Sequence, residues 1–298
     1  MNINILSTST TSLSTDNNGA NVQGDELVAR SWAKYLQRDE RVSSVDINGH
    51  NNNYHISISF SPLINLPMTG LKVLYLQNIF PKPDWPGTIE IYHQNRNRYD
   101  AFIFPSEGLM KRCGEGLVCQ FAVDPELFYP KEINESFSHN LYFVGNNIRD
   151  KHTSDKYLFC AKDKGLVIYG NPLGWNSALC RGKISISDEA TLYSSAKIGL
   201  NAHLSEHLEY GSYNFRLFNI LACKGFIISD KSQPLVNEFN GCIEFTDGHD
   251  DLLSKIDYYL ENPQETIPYR EYGYQHILSQ HTFKHRMSDV LNWLGTKI

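Results

Sequence analysis

The sequence predicts an α/β protein made of two halves in tandem. Three observations carry this reading. Short apolar runs alternate with helical patterns on both sides of residue 130, as βαβ units and parallel sheets require. The chain has 298 residues, against a prior of roughly 150 per domain. The alternation halts once, at Asp124-Pro125-Glu126-Leu127-Phe128-Tyr129-Pro130, where two prolines mark a boundary.

Each element follows from its residues. Ile3-Asn4-Ile5-Leu6 reads as a short buried strand, and a Ser/Thr/Asn/Gly-rich segment runs on to Asn18-Gly19-Ala20. A helix opens at Gly24-Asp25-Glu26, with Asp25 as its N-cap and Leu27, Ala29, Trp32, Ala33 and Leu36 near 3.6 spacing. Strands are expected at 42–47, 55–60, 71–76, 101–104 and 117–123. The second half begins with Leu141-Tyr142-Phe143-Val144 and continues with strands at 167–169, 198–201, 226–229 and 242–245. Helical patterns at 189–195, 213–223 and 250–261 lie between or after them. An amphipathic stretch at 282–294 closes the chain, its apolar face being Phe283, Met287, Val290, Leu291 and Leu294.

Composition excludes several function classes. Lys and Arg number 27 against 33 Asp and Glu, a net charge of −6, so nothing attracts nucleic acid or an anionic bilayer. No run approaches the ~20 apolar residues of a membrane span, so at most peripheral membrane association is expected. The N-terminal residues lack a basic region and a long apolar stretch, which makes a secretory signal unexpected and the cytoplasm the expected compartment. The six cysteines show no Cys-x-x-Cys spacing and read as reduced thiols.

Two facing α/β halves place ligand chemistry outside the carboxyl ends of their strands. The informative residues are therefore the polar ones that follow each strand: 145–149, 170–175, 201–207 and Asp230. Gly211-Ser212 precedes a helix expected to carry Tyr213 and Asn214 in its first turn and Arg216 just inside. Such a terminus, with Arg149 and Arg216 beside it, suits a diphosphate. Tyr169-Gly170-Asn171 follows a strand and offers a base pocket, with glycine allowing close approach.

The order of these segments resembles a known family. Phe143-Val144-Gly145-Asn146, Tyr169-Gly170-Asn171 with Trp175, Ser194-Ser195-Ala196-Lys197-Ile198-Gly199-Leu200-Asn201 and Phe215-Arg216-Leu217-Phe218-Asn219-Ile220-Leu221-Ala222-Cys223 come in turn. Ile228-Ser229-Asp230, Tyr258-Tyr259-Leu260-Glu261-Asn262-Pro263 and His281-Thr282-Phe283-Lys284-His285-Arg286 complete the series. This resembles the GT-B-fold glycosyltransferases of the spore-maturation (CgeB-like) type, related to the group 1 glycosyltransferases. The pattern is strongest from about Phe121 onward.

The resemblance implies two Rossmann-like domains facing across a cleft. Residues 1–130 would form the acceptor-side domain and 131–280 the nucleotide-sugar domain, with 281–298 a helix crossing back to the first. It implies no bound metal and no cofactor, the donor being a nucleotide-diphosphate sugar. The acceptor would be a glycan, a lipid-linked group or a protein, within synthesis of a bacterial surface glycan. Donor-site residues implied are Asn146, Arg149, Tyr169, Gly170, Asn171, Trp175, Lys183, Ile184, Asn201, His203, Ser212, Tyr213, Asn214, Arg216 and Asn219. On the acceptor side stand Asn18, Gly19, Asn78 and Ser106. Group 1 relatives favour retention of anomeric configuration; for inversion a general base is needed, and Asp16, His93 and Glu107 are the candidates. Two positions depart from the family: Asn219 where relatives often carry Glu, and Lys224 where they usually carry Gly.

Plainer readings stand beside these. Arg149 and Arg216 also suit surface ion pairs, His203 a structural role, Trp175 a core anchor and Asn18-Gly19 a simple turn. His203-Leu204-Ser205-Glu206-His207 spells a zinc-peptidase motif, but its place after a strand makes it a loop, and His276, His281 and His285 read as helix-surface residues. The alternatives to transfer are a catalytically silent binding or scaffold protein and a sugar-nucleotide epimerase.

Overall fold

The computed structural model describes residues 1–7, 24–50, 53–78, 80 and 86–298. In the first half, β1 (Asn2–Leu6), α1 (Gly24–Gln37), β2 (Ser44–Ile47), β3 (Ile56–Ser59) and β4 (Leu71–Tyr75) lead to α2 (Thr88–Asn95), β5 (Ala101–Phe104), α3 (Glu107–Cys113) and β6 (Leu117–Val118). The second half opens with β7 (Leu141–Val144), α4 (Lys151–Tyr157), β8 (Leu166–Tyr169), α5 (Ile186–Ser195), β9 (Ile198–Asn201) and α6 (Ser205–Tyr210). It continues through α7 (Phe215–Ala222), β10 (Ile227–Ser229), α8 (Gln233–Phe239), β11 (Glu244–Phe245), α9 (His249–Glu261), α10 (Ile267–Gln280) and α11 (Phe283–Leu294).

Two parallel sheets result, ordered β2-β1-β3-β4-β5-β6 and β11-β10-β9-β7-β8. Their strands are apolar because helices cover both faces. In the first, Ile3, Ile5, Ile56, Ile58 and Val73 are fully buried, and Trp32 of α1 stacks on Tyr75 at 4.9 Å and meets the edge of Phe60 at 5.1 Å. The opposite face is closed by Leu74, Leu76, Tyr92, Phe104 and Leu109. In the second, α5, α7 and α10 cover one face and α9 the other.

The amphipathic last helix does return to the first domain. Phe283, Met287, Val290, Leu291 and Leu294 share one core with Val28, Trp32 and Leu36 of α1. The chain crosses between domains as a paired junction: Val123 N–H donates to His281 O at 2.9 Å, and Phe283 N–H donates to Val123 O at 3.0 Å.

Several local expectations are corrected. Asp25 lies inside the first turn of α1, which begins at Gly24, so it is not the N-cap. The run 117–123 contributes only Leu117–Val118 to the sheet, and its remainder becomes the crossing. The segment 205–210 is a short helix, not a loop; Gly211, in the left-handed region at φ 65°, ends it. Residues 212–214 are consequently outside any helix, so α7 starts at Phe215 rather than at Tyr213.

Candidate active site

The carboxyl ends of β7 and β9 and the start of α7 converge. Arg216, at the second position of α7, is 8% exposed. Its Nε donates to Val144 O and its Nη1 to Asn201 Oδ1 at 2.8 Å. Arg149, from the β7 loop, donates through Nε to Ala202 O at 2.6 Å and through Nη1 to Asn146 O at 3.2 Å. The two guanidinium groups lie 4.3 and 4.9 Å from the centroid of one ring, Phe143. Among the described residues no carboxylate is hydrogen-bonded to either arginine. Burial, then the charge of Arg216, pushes Arg149 down to about 9, and burial lowers Arg216 as well. Two guanidinium groups on one ring, Arg216 buried and Arg149 half-buried, with no described carboxylate hydrogen-bonded to either, form a site for an oxyanion of two or more charges.

Asn201 holds this arrangement. Its Oδ1 accepts from Arg216 and, at 2.9 Å, from Asn214 Nδ2, while its own Nδ2 donates to Ser229 Oγ at 3.0 Å. Asn214 caps α7 by accepting from Leu217 N–H at 3.3 Å, which occupies one of the four free N–H groups of that terminus. Beside the arginines, His203 is 1% exposed and its Nδ1 lies 2.6 Å from Asp230 Oδ1. Burial pushes the Asp230 carboxyl upward, but its contacts with His203 and the hydrogen bonds it accepts outweigh this and hold it low. Asn146 joins the β8 loop to this group, its Oδ1 accepting from Asn171 N–H at 3.0 Å.

The structure thus brings together Asn146, Arg149, Asn201, His203, Asn214 and Arg216, with Asn171 adjacent. Other expected donor residues go elsewhere. Trp175 is a core anchor: it is 7% exposed, edge-on to Phe143 at 5.7 Å, and its indole donates to Gly145 O at 3.1 Å. Tyr213 and Ile184 are likewise core residues of the second domain. Gly170 lacks a side chain for the protein's sake, since a Cβ there would lie 2.1 Å from Gly145 O. Tyr169 is half-buried with its hydroxyl 2.9 Å from His139 Nε2, and Lys183 is exposed. Asn219 turns away from the arginines; it lines a void of about 10 Å³ with Ser31 and Asp124 at the seam with α1.

On the acceptor side, Asp16, Asn18 and Gly19 lie outside the described residues. His93 is exposed in the last turn of α2, next to the amino end of β5 and away from the strand ends that carry the arginines. Glu107 stands at the correct end but is exposed and paired with Lys111 at 3.1 Å. Asn78 donates to Asp25 Oδ2 at 3.2 Å. Ser106, the N-cap of α3, bridges the domains: its Oγ donates to Tyr210 O at 2.7 Å and accepts from Ser212 Oγ at 3.1 Å. Ser212 therefore sits at the seam between the domains. Arg112 and Glu209 add an ion pair across the same seam.

Sequence reasoning passed over Phe143, the ring beneath both arginines, and the pairing of His203 with Asp230. It also misplaced His281, which is 3% exposed at the crossing rather than on a helix surface. Its Nε2 lies 3.2 Å from both His276 Nε2 and Glu238 Oε1, a spacing that metal ligands also show. Arg286, however, donates to His281 Nδ1 at 2.7 Å. That leaves the ring proton on Nε2, so this nitrogen donates to Glu238 rather than offering a lone pair.

A family model described as glycosyl transferase-like matches residues 155–292. No curated protein matches the chain in sequence. Among solved structures, the sucrose-phosphate synthase of Thermosynechococcus elongatus is 10% identical with a TM-score of 0.71, over all of both chains. HepE of Anabaena, in complex with UDP-glucose, is 11% identical with a TM-score of 0.68, over 99% of this chain and 100% of that one. An α-glucosyltransferase in complex with UDP-glucose and DNA containing an abasic site is 12% identical with a TM-score of 0.64, over 99% of each chain. The fold is GT-B: two Rossmann-like domains facing across a cleft, with the last helix crossing back.

Proposed function

We propose that this chain is a glycosyltransferase that moves a sugar from a nucleotide-diphosphate donor to an acceptor. The observation that carries it is the pair Arg149, half-buried, and Arg216, buried, packed on Phe143 at the strand ends of the second domain with no described carboxylate hydrogen-bonded to either. The glycosyl transferase-like match covers this domain's later part, and two of the GT-B neighbours are described with UDP-glucose. Diphosphate is the leaving group of such a transfer, and fixed cations act on the charge that develops there. Those two cations supply the charge a metal would otherwise supply, so transfer is read as metal-independent and without cofactor. Closure across the cleft excludes water and suppresses donor hydrolysis.

Retention is favoured over inversion. Of the three candidate bases, His93 is remote from the strand ends, Glu107 is exposed and paired with Lys111, and Asp16 lies outside the described residues. The CgeB-like subgroup and a bacterial surface glycan, lipid-linked group or protein as acceptor belong to the same reading. No helix among the described residues is long and apolar enough to cross a membrane, in keeping with a cytoplasmic enzyme of at most peripheral membrane association.

Calorimetry with UDP, GDP, ADP, CDP and TDP tests the proposal. One of them is expected to bind saturably, with the affinity lost in Arg216→Ala and Arg149→Ala while thermal unfolding still shows a folded protein, and EDTA is expected to change neither binding nor turnover. Absence of binding by all five overturns the donor reading and leaves the scaffold alternative, which the seam position of Asn219 favours. Turnover without acceptor would identify an epimerase.

A further inference from the structure

The second domain holds buried polar atoms with no partner near the arginines. His203 donates its backbone N–H to Asp230 Oδ2 at 2.7 Å, and its Nδ1 lies 2.6 Å from Asp230 Oδ1. A carboxylate in that position fixes the proton on Nδ1 and leaves Nε2 as the working nitrogen. That Nε2 is buried and has no partner. The His207 ring stands edge-on at 6.2 Å, and its Nδ1 is buried and unpartnered too. Orphaned buried groups of this kind call for a ligand or a catalytic use.

The charges around His203 come from every element packed there. Arg149 reaches in from the β7 loop and holds the carbonyl of Ala202, the neighbouring residue. Arg216 comes from α7, His207 from α6, and Asp230 follows β10. Two guanidinium groups stand against the Asp230 carboxylate, while Glu189 of α5, pushed up to about 7 by burial, acts on Arg216 from behind. Burial, then His203 and Arg149, keeps His207 uncharged, with its pKa down to about 3. Of the two imidazoles, His203 is the one hydrogen-bonded to a carboxylate.

We propose that His203 is the acid that serves the departing diphosphate, with Asp230 as its positioning residue. The inference rests on the nucleotide-sugar reading above. A bound diphosphate offsets Arg149 and Arg216, so His203 takes up a proton from solvent and Nε2–H faces a β-phosphate oxygen. When the bond between the sugar C1 and that oxygen breaks, its electron pair stays on the oxygen and the Nε2 proton joins it. The acceptor hydroxyl oxygen bonds to C1 and releases its proton to solvent. His203 is then neutral, still donating from Nδ1 to Asp230.

The test uses the full chain and the same five nucleoside diphosphates, titrated in two buffers of different ionisation enthalpy. The wild type is expected to take up close to one proton per nucleotide bound. His203→Gln is expected to bind within about threefold of wild type but with no proton uptake. With the matching nucleotide-sugar, it should turn over about 100-fold more slowly at similar KM. The fall in kcat at high pH should vanish in His203→Gln and move to lower pH in Asp230→Asn, which is the second probe if the first variant does not fold. Nucleotide binding without proton uptake, or unchanged kcat in both variants, overturns the role of His203 alone. Binding of no nucleotide by the wild type overturns the donor reading, and this role with it.

Discussion

Replacing Gly108 with alanine should hold the domains apart. Gly108 lies in the first turn of α3, and a Cβ added there would sit 2.3 Å from Tyr210 O and 2.9 Å from Tyr210 C, both main-chain atoms of the second domain. Ordinary contact begins near 3.4 Å, so the two backbones must separate by about 1 Å. A shift of that size breaks the Ser106–Tyr210 hydrogen bond of 2.7 Å and the Ser106–Ser212 bond of 3.1 Å. At about 1 kcal/mol each, the closed arrangement loses roughly 2 kcal/mol, or about 30-fold in population. Gly108 contacts neither arginine, so nucleotide affinity should change little while turnover falls. Small-angle X-ray scattering of the variant with and without nucleotide measures the separation. Scattering and turnover both equal to wild type would refute the reasoning.

Other expectations follow from single residues. Lys224 holds a left-handed backbone at φ 56°, so Lys224→Gly should stabilise by up to about 1 kcal/mol and raise Tm by about 2 °C, the exposed Lys224–Glu271 pair offsetting little. Asn219→Glu, which restores the residue frequent in relatives, should instead destabilise by roughly 3 kcal/mol in urea unfolding, because it forces a carboxylate into a void of about 10 Å³ beside buried Asp124. Burial raises Glu189 from 4.5 to about 7, so its contribution is full below 4.5 and lost as pH rises through 7. Glu189→Gln should therefore gain up to about 3 kcal/mol at alkaline pH and little at acid pH, read from Tm against pH. The acid-side loss should persist in that variant, because His207, lowered from 6.5 to about 3, contributes above 6.5 and loses its contribution as pH falls.

The strands were legible because both sheets are buried on both faces, which writes runs such as Leu141-Tyr142-Phe143-Val144 directly into the sequence. The helix α10 was not, since it buries only Gly273 and Ile277 and shows no apolar stripe; it lies on α7 through a glycine whose Cβ would be 2.7 Å from Leu221 Cδ2. Arg149, Asn201 and Arg216 were readable from their places after strands and at a helix start. Trp175 and Tyr213 occupy equally suggestive places yet turn inward, and spacing does not tell which way a ring points. His203 and Asp230 are 27 residues apart, and only the adjacency of β9 and β10 in the sheet joins them.

The return of α11 to the first domain sets an order of maturation. Trp32 and Leu36 emerge from the ribosome early, yet the residues that seal their core, Met287 to Leu294, are made some 250 positions later. The second sheet can assemble while the first still lacks a wall. Nascent chains stalled before residue 283 should consequently present a protease-resistant later half tethered to a sensitive earlier one, and a chaperone would meet the exposed face of α1.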